Sequence, residues 1–166
     1  MPPRLLIRQL TASDASAFRT LRLAGLQEAP TAFGSSYAAE KGRTVEDFAG
    51  SIARNYMAGG FFGPQLVGVA GFYQSAGEKV AHRGNVWGVY VDPAARGTGI
   101  ARLLMEHILS HAKDVVKQVH LCVVSDNEAA LRLYRGLGFV SYGREPRALL
   151  VDGRFYDEEL MVWRAD

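Results

Sequence analysis

The stretch from Val89 to Leu104 constrains this chain more than any other part of it. A β-branched-rich apolar run, Val86-Trp87-Gly88-Val89-Tyr90-Val91, reads as the end of a buried strand that begins near Val80, and Asp92-Pro93 stops it. The chain then crosses Ala94-Ala95-Arg96-Gly97-Thr98-Gly99 and enters an amphipathic helix, with Ile100, Leu103, Leu104 and Ile108 on one face and Arg102 and Glu106 on the other. Gly97 and Gly99 remove side chains where the backbone turns and where a ligand would touch it. The unpaired amides of the first helical turn point into the same space. Strand, glycine turn and helix N-terminus together make an anion site suited to phosphate.

Two common phosphate motifs can be tested on the letters. A P-loop needs Lys-Ser or Lys-Thr after its last glycine, and here Gly99 is followed by Ile100-Ala101. A dinucleotide fingerprint starting at Gly97 would want glycine or alanine where Arg102 stands, within a βαβ unit. Neither fits. The formal charge of +2 comes from scattered basic residues, which argues against a nucleic-acid surface and is compatible with a small polyanion.

At 166 residues the expectation is one domain, residues 1–166. No apolar run approaches the roughly 20 residues of a membrane span. The opening Met-Pro-Pro-Arg leads into a strand-like segment instead of a signal h-region, so a cytoplasmic protein is expected. Cys122 is the sole cysteine and excludes an internal disulfide; Leu121, Val123 and Val124 around it favour a buried strand residue over a nucleophile. His82, His107, His111 and His120 show no metal-ligand spacing, and no metal is expected.

Along the chain, Leu5 to Leu10 reads as a strand, and Thr11 with Asp14 opens a helix to about Leu26 through a capping box. Gln27 to Gly42 reads as a loop. Thr44 with Asp47 opens a second helix striped by Phe48, Ile52 and Tyr56. Phe61-Phe62, the turn Gly63-Pro64 and Leu66 to Tyr73 form a hairpin. Beyond the glycine turn and its helix, Val119 to Val124 suits a strand covered on both faces. Ser125 with Glu128 opens a helix carrying Ala130, Leu133, Tyr134 and Leu137 on one side, closed by Gly136 and Gly138. Phe139 to Gly143, Ala148 to Val151 and a last segment ending near Val162 are strand-like. The order is mixed α/β.

Arg96-Gly97-Thr98-Gly99-Ile100-Ala101 matches the [Gln/Arg]-x-x-Gly-x-[Gly/Ala] pattern of the GNAT superfamily of N-acetyltransferases. The run from Asn127 to Phe139 is similar to that family's Asn-x-x-Ala-x-x-Leu-Tyr...Gly-Phe signature, so the resemblance covers Trp87 to Tyr142. It implies a central, mostly antiparallel, twisted sheet of six to seven strands flanked by about four helices. It also implies acetyl-CoA as cosubstrate and an amine acceptor, and it admits a homodimer; the scattered charge and the lack of a long apolar run add the expectation of no nucleic acid and no membrane as partners.

Carried onto this sequence, the resemblance puts the coenzyme pyrophosphate on the amides of Arg96, Gly97, Thr98, Gly99, Ile100 and Ala101. It sets the pantetheine beside the strand edge at Val89, Tyr90 and Val91, with Asn127 reaching the coenzyme from the next helix and Arg132 or Arg135 meeting the ribose phosphate. An amide near Val89 would stabilise an oxyanion, worth about 2.7 to 4 kcal/mol for one donor. Tyr134 matches the tyrosine that protonates the departing thiol, a transfer uphill by roughly 2 kcal/mol at unperturbed values. Relatives that acetylate protein N-termini often carry a glutamate where this sequence has Cys122. For the base that must free the amine, Glu28 is the first candidate and Tyr156 the second.

Chemistry without the resemblance reads Tyr134 as a core tyrosine and Asn127 as a helix cap. Two functions therefore stand: transfer of acetyl from acetyl-CoA to a primary amine by direct attack, and a non-catalytic acyl-CoA-binding regulatory module of the same fold.

Overall fold

In the computed structural model, which describes residues 3–166, the elements run β1 Leu5–Gln9, α1 Ala15–Glu28, α2 Tyr37–Glu40, α3 Val45–Arg54, β2 Tyr56–Phe62, β3 Gln65–Gln74, β4 Arg83–Val91, α4 Ile100–Ala112, β5 Gln118–Val124, α5 Glu128–Gly136, β6 Val140–Val151 and β7 Arg154–Arg164. Met1 and Pro2 of the opening tetrapeptide lie outside the described residues. The strands form one seven-stranded sheet in the order β1-β2-β3-β4-β5-β7-β6. Every pairing is antiparallel except β4 with β5. No helix among the described residues is long and apolar enough to cross a membrane.

Each face of the sheet buries its own core. On one, Ile100, Leu104 and Ile108 of α4 pack with Phe72, Val119 and Met161. On the other, Phe18 and Leu21 of α1 and Phe48 of α3 pack with Met57 and Val69. The sheet thus forms the middle of three layers, and its central strands are apolar on both sides.

Local signals placed several boundaries. The Asp14 carboxylate accepts from the Thr11 amide at 2.8 Å, and that of Asp47 from the Thr44 amide at 2.8 Å, so both capping boxes form. The first opens a single 3-10 turn, Ala12–Asp14, before α1 proper. Between α1 and α3 the expected loop contains a 3-10 turn at Pro30–Ala32 and the one-turn α2, capped by Ser36.

Other expectations need correction. Tyr56 continues the helical spacing of Phe48 and Ile52 but belongs to β2, because Asn55 is extended and Tyr56 pairs with Phe72. Leu103 is exposed and Met105 takes its place in the core. In α5 the buried residues are Leu131 and Tyr134, while Ala130, Leu133 and Leu137 are half-buried. The Ser125–Glu128 box does not form; Asn127 accepts from the Ala130 amide, and the Ser125 hydroxyl donates to the Asp157 carbonyl at 3.1 Å. β4 starts at Arg83, not Val80, since Val80 closes a turn with Gly77. The two strand-like segments after Phe139 are one strand, β6, bent by irregularities at Ser141/Gly143 and Glu145/Leu149.

Candidate active site

The site originates in one extra residue. Gly71 faces Trp87 and Val69 faces Tyr90, so β4 uses one residue more than β3 between the same two rungs. Gly88 supplies the kink with φ +63, a left-handed conformation that favours glycine. The kinked strand leaves its other neighbour: β4 and β5 pair only over Arg83–Asn85 and Gln118–His120. Beyond that point they splay, and a cavity of about 530 Å³ fills the gap.

Val89, Tyr90, Val91, Arg96, Gly97, Gly99, Ile100, Ala101, Asn127 and Tyr134 all line it. Gly97 and Gly99 have φ +78 and +82, and a Cβ built on either meets nothing within 4 Å. Their need for glycine is therefore conformational, and the space over the α4 N-terminus is open for a phosphate to reach the amides. Thr98 does not line the cavity. Its hydroxyl donates to the Ala95 carbonyl at 2.6 Å and pins the turn from behind.

Arg96 is fixed by three acceptors: its Nε donates to the Val91 carbonyl at 3.1 Å, and its terminal nitrogens reach the two Glu28 oxygens at 3.1 and 2.8 Å. The Tyr90 hydroxyl donates to the same carboxylate at 2.9 Å. Hydrogen bonding to Arg96 holds the Glu28 carboxyl below its ordinary value, although burial acts the other way. Burial, helped by Glu28, pushes the Tyr90 phenol up to about 12. Glu28 is thus the last residue of α1 rather than part of a loop, lines neither cavity described here, and is a weakened base engaged with Arg96. Tyr156 lines neither cavity either; it pairs with Leu149 under the Arg154 guanidinium. Arg132 and Arg135 are exposed and also outside the lining, whereas Arg102 is within it.

Tyr134 is 7% exposed on the wall of the cavity, and burial alone pushes its phenol up to about 12. It stays protonated at any working pH. Handing its proton to a thiolate that titrates near 8.5 would be uphill by about 5 kcal/mol, steeper than unperturbed values suggest.

A second cavity, about 540 Å³, meets the first at Trp87, Gly88, Leu121 and Cys122, which line both. Cys122 is exposed, contrary to the expectation of a buried strand residue, because the splay uncovers that side of β5. Burial of the sulfur's surroundings and the nearby Glu158 and Glu145 carboxylates push its thiol up, so it remains uncharged. Glu158 lies opposite Val124 on β7 and beside Glu145 of β6. Burial, then repulsion from Glu145, raises its carboxyl above the ordinary value. No local pattern pointed to Glu158, since only the β5–β7 register brings it near Cys122.

Among the described residues no group of three or more His, Cys, Asp or Glu side chains could hold a metal. His107 and His111 sit against Tyr56, whose hydroxyl is 2.9 Å from His107 Nε2 and whose ring stacks on His111 at 3.7 Å.

The sequence model of the acetyltransferase (GNAT) family matches residues 24–139. The chain belongs to that family. It is 39% identical over 99 residues to the N-alpha-acetyltransferase RimI of Mycobacterium tuberculosis, a match covering 60% of this chain and 61% of that protein. It is 34% identical over 79 residues to the L-amino acid N-acyltransferase MnaT of Escherichia coli, covering 47% and 46%. The matched stretches thus span less than two thirds of these curated relatives. In fold it superposes on a GNAT-family acetyltransferase from Streptococcus pneumoniae with TM-score 0.85 and 22% identity over 97% of this chain and 99% of that one. It superposes equally on a Salmonella typhimurium structure that carries its cofactor acetyl-CoA, with TM-score 0.87 and 19% identity over 98% and 95%.

Proposed function

We propose that the protein, acting as one domain over residues 1–166, transfers acetyl from acetyl-CoA to a primary amine by direct attack in a ternary complex. The observation that carries this reading is the adjacency of two cavities. One runs from the glycine turn at the α4 N-terminus past Tyr134 and, where β4 and β5 part, shares Trp87, Gly88, Leu121 and Cys122 with a second cavity, which this reading takes as the acceptor side.

The residues present fit acetyl-CoA. The Arg96 amide is already given to the Pro93 carbonyl at 3.3 Å, so the main-chain amides from Gly97 to Ala101 are the donors for a diphosphate, with Arg102 adding charge nearby. Where β4 leaves β5, the edge at Val89 and Val91 loses its strand partner and offers main-chain groups to the pantetheine amides. When bound, the thioester supplies an activated acetyl carbon. Tyr134, protonated and on the wall, donates its proton to the leaving sulfur. Glu28 holds Arg96 and through it the turn; it is a positioning residue rather than the base.

Glu158, which like Glu28 and Tyr156 lines neither cavity, is the better candidate to take the amine's proton through water, because burial and Glu145 raise its proton affinity near Cys122. Glu158→Gln is expected to lower kcat by about 100-fold. Its sign with pH is fixed: the wild-type kcat should fall on the acid side with a midpoint above 4.5, the ordinary value, and the variant should lose that limb. An unchanged acid limb would remove Glu158 from this role.

The reading as a whole is tested by titrating the protein with acetyl-CoA in a calorimeter and measuring thiol release over a panel of primary amines. Micromolar uptake with amine-dependent release is expected. Uptake without release from any amine would leave a non-catalytic acyl-CoA-binding module, and no uptake at millimolar thioester would overturn both.

A further inference from the structure

The second cavity carries positive charge that the acetyl-transfer reading does not use. Arg22 and Arg83 both line it, and among the described residues no aspartate or glutamate does. Among the described residues Arg83 makes no ion pair, and its buried Nε has no hydrogen-bond partner. A buried guanidinium donor without a partner is unusual in a folded chain; Nε itself is closed to the cavity, so an acceptor arriving there would meet the terminal nitrogens of Arg83, which make no ion pair among the described residues.

Arg22 is held differently. Its Nε and one terminal nitrogen donate to the two oxygens of Glu40, each at 2.7 Å. Arg43 reaches the same carboxylate at 3.3 Å, so one negative charge serves two guanidiniums. The remaining terminal nitrogen of Arg22 turns the other way, 3.2 Å from where a Cβ on Gly88 would stand. Gly88 lines both cavities and Arg22 the second alone, which puts this nitrogen on the wall of the second cavity beside a residue the two share. Phe33 and Trp87 flank the guanidinium at 5.3 and 5.2 Å and keep it in place.

The field of these groups is felt nearby. His120, on the same wall and 3.2 Å from the Tyr142 hydroxyl, is held below its ordinary value by burial and then by Arg83, His82 and Arg164, so it stays neutral and polar. The opposing charges, Glu145 and Glu158, act on Cys122 from β6 and β7 and stand outside the lining. The acceptor space therefore has Arg83 and Arg22 on its wall, Arg22 backed by Glu40 behind the lining, with Glu145 and Glu158 beyond Cys122.

Resting on the transferase reading for the amine itself, we propose that this cavity binds the anionic group of the acceptor, a small primary amine carrying a carboxylate close to its nitrogen, of the α-amino acid type. Arg83 and the free nitrogen of Arg22 hold the carboxylate. The short separation follows from Arg22, whose free nitrogen stands beside Gly88, a residue the two cavities share. A peptide N-terminus fits less well, because its first carbonyl is an amide and leaves Arg83 without an anion.

The test uses the coenzyme A-saturated protein and two sets of probes: L-amino acids and the amines left when each loses its carboxylate. Titration calorimetry is expected to give the best amino acid an affinity about 10- to 100-fold above its decarboxylated partner. Arg83→Gln should bring that ratio close to one, and Arg83→Lys should restore part of it, which a merely structural loss would not do. Equal affinities in the wild type, or a ratio that survives Arg83→Gln in a folded variant, overturn the proposal. Thiol release run alongside separates the two readings. Arg83-dependent uptake of amino acids without release sinks transfer and keeps the anion subsite, whereas release that favours the decarboxylated amines keeps transfer and sinks the subsite.

Discussion

Tyr134→Phe should lower kcat for acetyl transfer by about 100-fold or more while leaving the affinity for acetyl-CoA nearly unchanged, as expected for a general acid that acts only in the transition state. The phenol lines the cavity and titrates at about 12, so its proton is available throughout the working range. Uphill transfer by about 5 kcal/mol is tolerable against the total barrier of about 16 kcal/mol that corresponds to ten turnovers per second. The transfer becomes easier where the departing thiolate shares the same apolar surroundings, because poor solvation raises its proton affinity too. Stability gives an independent readout. With the folded value raised above the ordinary 10.0, the neutral phenol contributes stability below pH 10 that is lost as pH rises toward 12. The phenylalanine variant has no phenol to ionise at this position, so it should resist alkaline unfolding better than the wild type. A variant with full kcat on the authentic acceptor would return Tyr134 to the core as an ordinary packing residue.

The sequence was most informative where the chemistry is local. The strand, the Gly97 and Gly99 turn and the α4 helix are contiguous, and their cavity-lining role could be expected from a window of sixteen letters, Val89 to Leu104. Capping at Thr44 was legible for the same reason. What the letters hid depends on distant residues. Glu28 faces Arg96 across sixty-eight positions, so its proximity to the glycine turn, and hence its loss as a base, could not be read from its surroundings. Cys122 sits in an apolar run that suggests burial, but the Gly88 kink in another strand uncovers it. Glu158 becomes a candidate base only through the β5–β7 register, and Arg83, whose buried Nε lacks a partner, stands where β4 and β5 meet before parting. One-strand patterns carry no information about the strand beside them, and this site lies where two neighbours separate.

That dependence makes the Arg22–Glu40 pair the place where fold and site can be separated experimentally. Both side chains are buried, at 8% and 5% exposure, and together they brace α1 against α2 on the acceptor side. Glu40→Gln would leave Arg22 buried with half its partner gone, a change expected to cost about 3 to 5 kcal/mol, or a fall in Tm of about 10 °C. The pH dependence has a definite sign. Burial disfavours the Glu40 charge, but the hydrogen bonds from Arg22 and Ser35 and the charges of Arg22 and Arg43 outweigh it and lower the pKa below 4.5. The pair therefore contributes stability above pH 4.5 that is lost as pH falls through the depressed value, and the variant should show a flatter acid limb in thermal melts. Replacing both partners, Arg22→Leu with Glu40→Leu, should recover much of the stability, because the two apolar side chains remove the buried charge of Arg22 along with its partner and leave only the part-exposed Arg43 without that carboxylate. The same double variant lacks the Arg22 nitrogen beside Gly88, so it should fold well and still bind carboxylate-bearing amines poorly. A single variant as stable as the wild type would show that the pair does not hold these two helices together.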